Sequence, residues 1–417
     1  MSYSILSLDG GGTWALIQAR VLYERYKDEN PNITGHEVLR KYDLVIANSG
    51  GSLVLSMLCA NKKLIEIVDV FNNTDILQSI FKKKFTAFIP IAKDFFPNYY
   101  AANKYEVFKK NLDTDFDYGN TLLTNLPTKI GKETLEIIIT GFDYDAQRAI
   151  YFRSNRLSKM DSSNIPDSDS KFIDVTLAQA VHASSNAPVM FFDAPAQFPV
   201  TIDGKPTTKN RLYWDGAVGG NNNPVKSGLL EAITNHPEEE KNIRIISIGT
   251  SVTITPTLYG EDNEPSIENR YDFLIRRSTI DSYGNDVKKI ATSILSDPPD
   301  SATYDAHIIM KLPNNAGNDK LIRINPLVKP LLKENNFVMP GDYWSADDMK
   351  TLFNLDMAIA TTKGIELINK LCDDFFKDLF DNQGIRTGGK RKNALIGHKY
   401  YSQAMSDWKS WDSVNII

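Results

Sequence analysis

Apolar residues fall along this chain in two rhythms. Tyr3 to Leu8 and Asp43 to Ala47 are short runs of strand length, the second rich in Leu, Val and Ile. Thr13 to Lys27 carries its apolar positions at helical spacing, and Leu53 to Ala60 reads as a buried helix. Strand, helix, strand, helix is the order of a parallel sheet with helices on its faces. The pattern continues in Leu135 to Thr140 and Ile243 to Ile248 as central strands, Val175 to His182 as a helix, and Arg211 to Trp214 as a short strand ending at Asp215. Asn223 followed by Pro224 predicts a helix from Pro224 to Asn235, with a side-chain cap and a proline at the first helical position.

Two later stretches differ. From Thr250 to Asp281 the chain turns polar around Pro256, Gly260 and Pro265, and reads as a loop excursion. After Pro340 the pattern is helical: Ile365, Ile368, Leu371, Phe375 and Leu379 recur at helical spacing, and Leu367, Phe376 and Phe380 widen the stripe. The expected organisation is an α/β domain over residues 1–340 with a helical region, 341–417, packed on it. No internal repeat or low-complexity segment is evident.

At 417 residues the chain is long enough for a large core, either as two or three domains or as one elaborated α/β domain. Hydrophobic content of 42% with 24% charged residues is that of a globular protein rather than a disordered one. A net charge of -5 argues against a general polyanion binder, so no nucleic-acid partner is expected. Cys59, in a buried helix, reads as an inert core thiol, and with Cys372 far away no disulfide framework follows. The five histidines show no zinc-ligand spacing, and no metal is expected. The amino terminus runs straight into a strand without a basic segment and apolar core, so the expectation is a cytoplasmic protein or one exported without a cleavable signal peptide. Leu44 to Asn61 approaches the length of a membrane span, but its centre holds Asn48, Ser49, Gly50, Gly51, Ser52 and Ser56, which suits a buried strand and helix better.

That uncharged stretch carries the first candidate chemistry. In Ala47-Asn48-Ser49-Gly50-Gly51 an apolar strand breaks into a small-residue turn before a helix, the arrangement that strains a serine backbone and projects its hydroxyl toward substrate. Gly10, Gly11 and Gly12 follow the first strand and open the first helix, so their amides suit an anion or a developing oxyanion. The same run through Ala15 fits a dinucleotide fingerprint, with Asp28 or Glu29 near the distance of a ribose-binding acid. That acid should end the second strand, whereas here the second strand delivers Asn48 and Ser49. Trp214-Asp215-Gly216-Ala217 places a carboxylate at a strand end before a turn, and a plain Asp-Gly turn explains it equally well when taken alone. Between them, His182-Ala183-Ser184-Ser185-Asn186-Ala187-Pro188 offers small residues that let a helix end approach such loops closely.

In their order and spacing, the glycine run after Asp9, the Ser49 turn, the Ala183 to Pro188 segment and Asp215-Gly216-Ala217 together resemble the patatin-like phospholipase family. The landmarks run from Asp9 to Pro224, about half the chain. The resemblance implies a three-layer α/β/α fold with a mostly parallel central sheet, no cofactor, and lipid acyl hydrolysis of phospholipase A or lysophospholipase type by a Ser-Asp dyad without histidine. Carried over, Ser49 matches the nucleophile, Asp215 the general base, and Gly10, Gly11 and Gly12 the oxyanion loop, with the amide of Gly50 completing the hole. His182 is expected to be structural. The chain departs from the family pattern at Trp14 and Ala15, where a basic residue and a glycine are usual, and at Ala47, where the serine motif usually leads with glycine. Those departures keep a second reading alongside the first: a patatin-shaped lipid-binding or regulatory protein with weak or no catalysis.

A membrane phospholipid substrate needs a route in. Val70 to Tyr105 mixes Phe71, Phe81, Phe85, Phe88, Phe95, Phe96, Tyr99 and Tyr100 with Lys82, Lys83, Lys84 and Lys93, which suits a channel mouth in peripheral contact with anionic lipid, or equally core aromatics beside a solvated face. Lys390-Arg391-Lys392 reads as an exposed loop. A Lys- and Asn-rich chain of this kind is compatible with a bacterial cytosolic enzyme or an exported bacterial effector, and with an activating protein or ligand.

Overall fold

The structure is a computed structural model and describes residues 2–85, 97–102, 104–112, 117–155, 172–188, 191–277, 298–313, 319–340, 344–385 and 396–413. Its centre is an eight-stranded mixed sheet of β1 (Ser4–Leu8), β2 (Leu44–Ala47), β3 (Glu136–Asp143), β4 (Arg148–Arg153), β5 (Ala196–Phe198), β6 (Arg211–Asp215), β7 (Arg244–Ile248) and β8 (Leu321–Ile324). Five strands run parallel in the order β8-β7-β1-β2-β3, and β4, β6 and β5 extend the sheet with antiparallel pairings. The principal helices are α1 (Leu16–Tyr26), α2 (Ser49–Cys59), α3 (Leu177–Ser184), α4 (Val225–Asn235), α5 (Pro298–Ile309), α6 (Thr362–Phe375) and α7 (Tyr401–Ser413).

Alternation along the strands builds the three layers. Leu6, Leu8, Val45, Ala47, Ile137, Ile139, Ile246 and Ile248 point to one face, into a core shared with α1, α2, α3, α6 and α7. Ile5, Leu44, Ile46, Ile138 and Ile245, one residue out of step, point to the other face and meet α4 and α5. Both faces of the parallel strands are therefore covered, which is why those strands read as continuous apolar runs. The architecture is α/β/α with further helices from the carboxyl-terminal part.

Each expected strand and helix forms, with shifted edges. The expected helix at Thr13 begins as a 3-10 turn, Gly12–Ala15, before α1, because Gly12 has a left-handed φ of 59° and the Thr13 amide turns outward to Met357 O at 2.8 Å. Pro224 stands one place before α4 rather than at its first residue, and Asn223 Oδ1 accepts from the amide of Val225 at 3.1 Å. The excursion after Thr250 is not wholly irregular: Val252–Thr253 pairs with Pro326–Val328, and Ser266–Ile267 with Asn336–Val338. In the carboxyl-terminal stripe Ile365, Ile368, Leu371 and Phe375 are buried as expected, but Leu379 is not. The helix ends at Phe375, and a left-handed turn at Asp378 (φ 60°) carries Leu379 outward while Phe380 returns to the core against Trp344.

The carboxyl-terminal helices share the first core rather than forming their own. Arg20 of α1 reaches Asn369 Oδ1 at 3.0 Å and Asp373 at 2.6 Å on α6, and Trp408 of α7 stands edge-on to Tyr26 of α1. Phe375 lies at the join, its ring 5.1 Å from that of Tyr401. Replacing Phe375 with alanine should therefore destabilise the whole fold by about 3 to 5 kcal/mol. Urea unfolding followed by fluorescence checks this, and a loss below about 1 kcal/mol would show the two helices to be loosely joined.

Candidate active site

The sheet register decides where the site forms. Residues 138 and 139 of β3 pair with β2 on one edge and β4 on the other, while Gly141 to Asp143 pair with β6 and again with β4. Because β4 keeps one edge throughout, β2 and β6 must share the opposite edge. Along it Ala47 faces Ile139 and Asp215 faces Gly141, so the two strands arrive from opposite directions and stop two residues apart. Ser49 and Asp215 are brought together at that gap: Asn48, the residue before the serine, donates to the Asp215 carboxylate at 3.0 Å, and the Ser49 side chain comes near enough to lower that carboxyl's pKa.

Ser49 opens α2 with φ at 46°, a left-handed conformation that costs a non-glycine residue on the order of 1 to 3 kcal/mol. The surroundings hold it there. Its amide donates to Ser184 Oγ at 2.8 Å, and its carbonyl accepts from Ser52 Oγ at 2.6 Å. The next two residues must be small: a Cβ on Gly50 would lie 2.4 Å from Gly12 O, and one on Gly51 would lie 2.5 Å from Leu8 O. The Ala47 methyl is fully buried in the first core, so this departure from the family pattern is accommodated.

Asp215 is 2% exposed, and three neighbours fix it. Its amide donates to Asn186 O at 3.1 Å, and its Oδ1 accepts from Asn48 Nδ2 at 3.0 Å and from the Ala217 amide at 2.9 Å. Asn48 is itself aimed by Thr140, whose hydroxyl donates to Asn48 Oδ1 at 2.6 Å. Burial raises the carboxyl pKa above the usual aspartate range, against the bonds from Ser49, Ala217 and Asn48 and the charge of Lys104. The guanidinium of Arg323 is engaged elsewhere, by Asp9 at 2.6 Å.

The glycine loop passes beside the serine turn with an unequal division of labour. The Gly10 amide donates to Asn222 O at 2.7 Å, so this residue gives the site space rather than a free donor: a Cβ there would lie 2.2 Å from Asn222 Oδ1 and 3.1 Å from Ser49 Cβ. Gly50 abuts Gly12 so closely that a Cβ on it would also lie 2.7 Å from Gly12 N, so the serine turn and the glycine loop pack backbone against backbone. The loop is braced from behind by the carboxyl-terminal part of the chain. Thr13 Oγ1 donates to Met357 O at 3.0 Å and accepts from the Ile359 amide at 2.8 Å, and Trp14 Nε1 donates to Asp356 O at 3.2 Å. Trp14, standing where the family pattern has a base, thus serves as an anchor.

Other expected groups fall away from this point. Burial, and then the charge of Lys104, pushes His182 down to about 3, so its ring stays neutral among Tyr105 and Phe198. Asp28 and Glu29 lie beyond the carboxyl end of α1, where Glu29 pairs with Arg25 at 2.5 Å and Asp28 with Lys409 at 3.5 Å, far in the topology from a ribose site at the end of β2. Cys59 is buried and its thiol is pushed up by desolvation. Among the described residues no group of three metal-ligating side chains gathers, and no helix is long and apolar enough to cross a membrane. In the aromatic and basic segment, Phe71, Phe81 and Tyr99 belong to the core, whereas Lys82, Lys83 and Phe85 are exposed and Lys84 pairs with Asp193 at 3.0 Å. Phe88, Lys93, Phe95 and Phe96, and the Lys390-Arg391-Lys392 run, lie outside the described residues.

The fold and site define a three-layer α/β/α protein with its serine turn at the carboxyl ends of parallel strands. The chain belongs to the patatin-like phospholipase family, whose model matches residues 6–229, more than half its length. Among solved structures it is distantly similar to VipD from Legionella pneumophila, at 11% identity and a TM-score of 0.29 over 99% of this chain and 74% of that one. It is also distantly similar to human GIVD cytosolic phospholipase A2, at 8% identity and a TM-score of 0.37 over 89% of this chain and 58% of that one. The chain thus spans well under two thirds of the human protein's length. No match was found among curated protein sequences.

The buried acid has a stability signature. A carboxyl whose folded pKa is raised favours the folded state most below the ordinary aspartate value of 3.8, and that contribution is lost as pH climbs through the raised value. Asparagine keeps both bonds to Oδ1 without the charge. Asp215→Asn should therefore melt above the wild type at pH 7, with the gap closing as pH falls toward 4. Equal melting temperatures at pH 7 in calorimetry would contradict the burial cost.

Proposed function

We propose that the protein is a lipid acyl hydrolase of phospholipase A or lysophospholipase type, cleaving carboxylic esters of membrane lipids through Ser49 and Asp215. The observation that carries this reading is the meeting of the strained Ser49 turn with a buried carboxylate of raised pKa beside the glycine loop. In the proposed sequence Asp215 takes the Ser49 proton as Oγ attacks the ester carbonyl carbon. The carbonyl oxygen becomes an oxyanion facing the amides of Gly11, Gly12 and Gly50, each such donor contributing about 3 to 4 kcal/mol. Collapse breaks the ester C–O bond, and the departing alcohol receives the proton from Asp215. Water, deprotonated by Asp215, then attacks the acyl-serine carbonyl carbon; collapse breaks its C–Oγ bond, releases a fatty acid, and returns the proton from Asp215 to Ser49 Oγ.

An aspartate of ordinary pKa is a weak base for a hydroxyl, and burial is what corrects this. Activity should accordingly rise with pH through an acid limb lying above the ordinary aspartate range, since only the carboxylate accepts the proton. Ser49→Ala should abolish both fatty-acid release from mixed phospholipid vesicles and labelling by a fluorophosphonate probe, and Asp215→Asn should lower turnover by about 10² to 10⁴. Retained hydrolysis in purified Ser49→Ala would reject the assignment. Failure of folded wild-type protein to label would favour the lipid-binding or regulatory reading instead.

We further propose that Lys82, Lys83 and exposed Phe85, which is 77% accessible, touch the lipid surface during catalysis. The triple variant Lys82→Glu, Lys83→Glu, Phe85→Ser should co-sediment less with anionic vesicles while keeping hydrolysis of a soluble ester. Unchanged co-sedimentation would place the contact elsewhere.

A further inference from the structure

Lys104 opens the helix Lys104–Leu112 and is 0% exposed. A lysine enclosed in this way loses its hydration, a cost of several kcal/mol that packing alone would never favour over leucine or methionine. What surrounds it suits an ammonium. Its Nζ sits 3.9 Å from the centre of the Phe192 ring and 5.6 Å from that of Phe108, and it donates to the carbonyl of Ser185.

Ser185 is flanked by the two residues that fix the proposed dyad. Ser184 Oγ accepts from the Ser49 amide at 2.8 Å, and Asn186 O accepts from the Asp215 amide at 3.1 Å. Three consecutive residues thus hold the nucleophile, the lysine and the acid. We propose that Lys104 is a positioning residue of this site, anchoring the Ser184 to Asn186 segment that sets Ser49 against Asp215 and lending its positive charge to keep Asp215 ionised.

The inference rests on the reading of Asp215 as the general base. Burial is the larger influence on both, pushing Lys104 well below the usual lysine range and Asp215 above the usual aspartate range, and the opposite charge of each works against that burial in the other. The other groups facing the pair are accounted for. His182 is neutral, Asn48 and the Ala217 amide meet the carboxylate as hydrogen-bond donors, and Asp193, next to Phe192, is held by Lys84 and by the Ala101 amide at 2.9 Å.

The test is the titration midpoint of the Asp215 carboxyl, followed by carbon NMR on aspartate-labelled protein and assigned through Asp215→Asn, together with the acid limb of kcat/KM. Lys104→Met should raise both by about one pH unit, and Lys104→Arg should keep them near wild type. A folded Lys104→Met protein with both unmoved would overturn the proposal. Where methionine prevents folding, Lys104→Gln keeps a donor for Ser185 O and removes only the charge, with the same expected rise and the same overturning result. The NMR midpoint needs no turnover. An inactive wild type would therefore sink the hydrolase reading while still deciding whether Lys104 governs Asp215.

Discussion

The site exists because two strands of opposite direction share one edge of β3 and end two residues apart on it. A parallel strand alone would deliver a serine turn with no acid beside it, and the antiparallel β6 alone would end in an ordinary Asp-Gly turn. The gap between them is where backbone hydrogen bonding stops and side chains take over. Asn48 and Thr140 fill that gap, Thr140 donating to Asn48 and Asn48 in turn to the carboxylate.

Holding this arrangement costs stability, and the surroundings are built to bear it. The left-handed backbone at Ser49 and the buried carboxyl at Asp215 are both unfavourable on their own. Ser184, Asn186, Asn48 and the Ala217 amide each satisfy one polar group there, so little of the strain can relax by local rearrangement. The offset comes from the sheet core, where Ile137, Ile138 and Ile139 of β3 and Val45 of β2 are wholly buried beside the gap.

Much of this was legible in the sequence for a simple reason: residues whose role is dictated by local backbone geometry announce themselves locally. The serine turn shows its need for small neighbours at Gly50 and Gly51, and the strands show themselves as apolar runs. Partners supplied by distant segments do not. Asn48 and Ser184 stood inside noted motifs, yet nothing in their neighbours told which atoms they would meet. Thr140 looked like any strand residue, and Lys104 carried no mark that set it apart. The Gly10 amide was expected to point at substrate, but its acceptor, Asn222 O, lies more than 200 residues away. Leu379 failed because a helical stripe read from spacing cannot see where a left-handed residue ends the helix.

The bracing of Thr13 and Trp14 by Asp356 to Ile359 has a consequence for where the functional unit ends. Similarity to the family stops at residue 229, but the backing of the glycine loop comes from more than a hundred residues further on. A fragment trimmed to the recognisable half would keep every motif and lose the wall those motifs lean against. The smallest self-sufficient unit is set by topology, and here it includes the stretch that carries no signature at all.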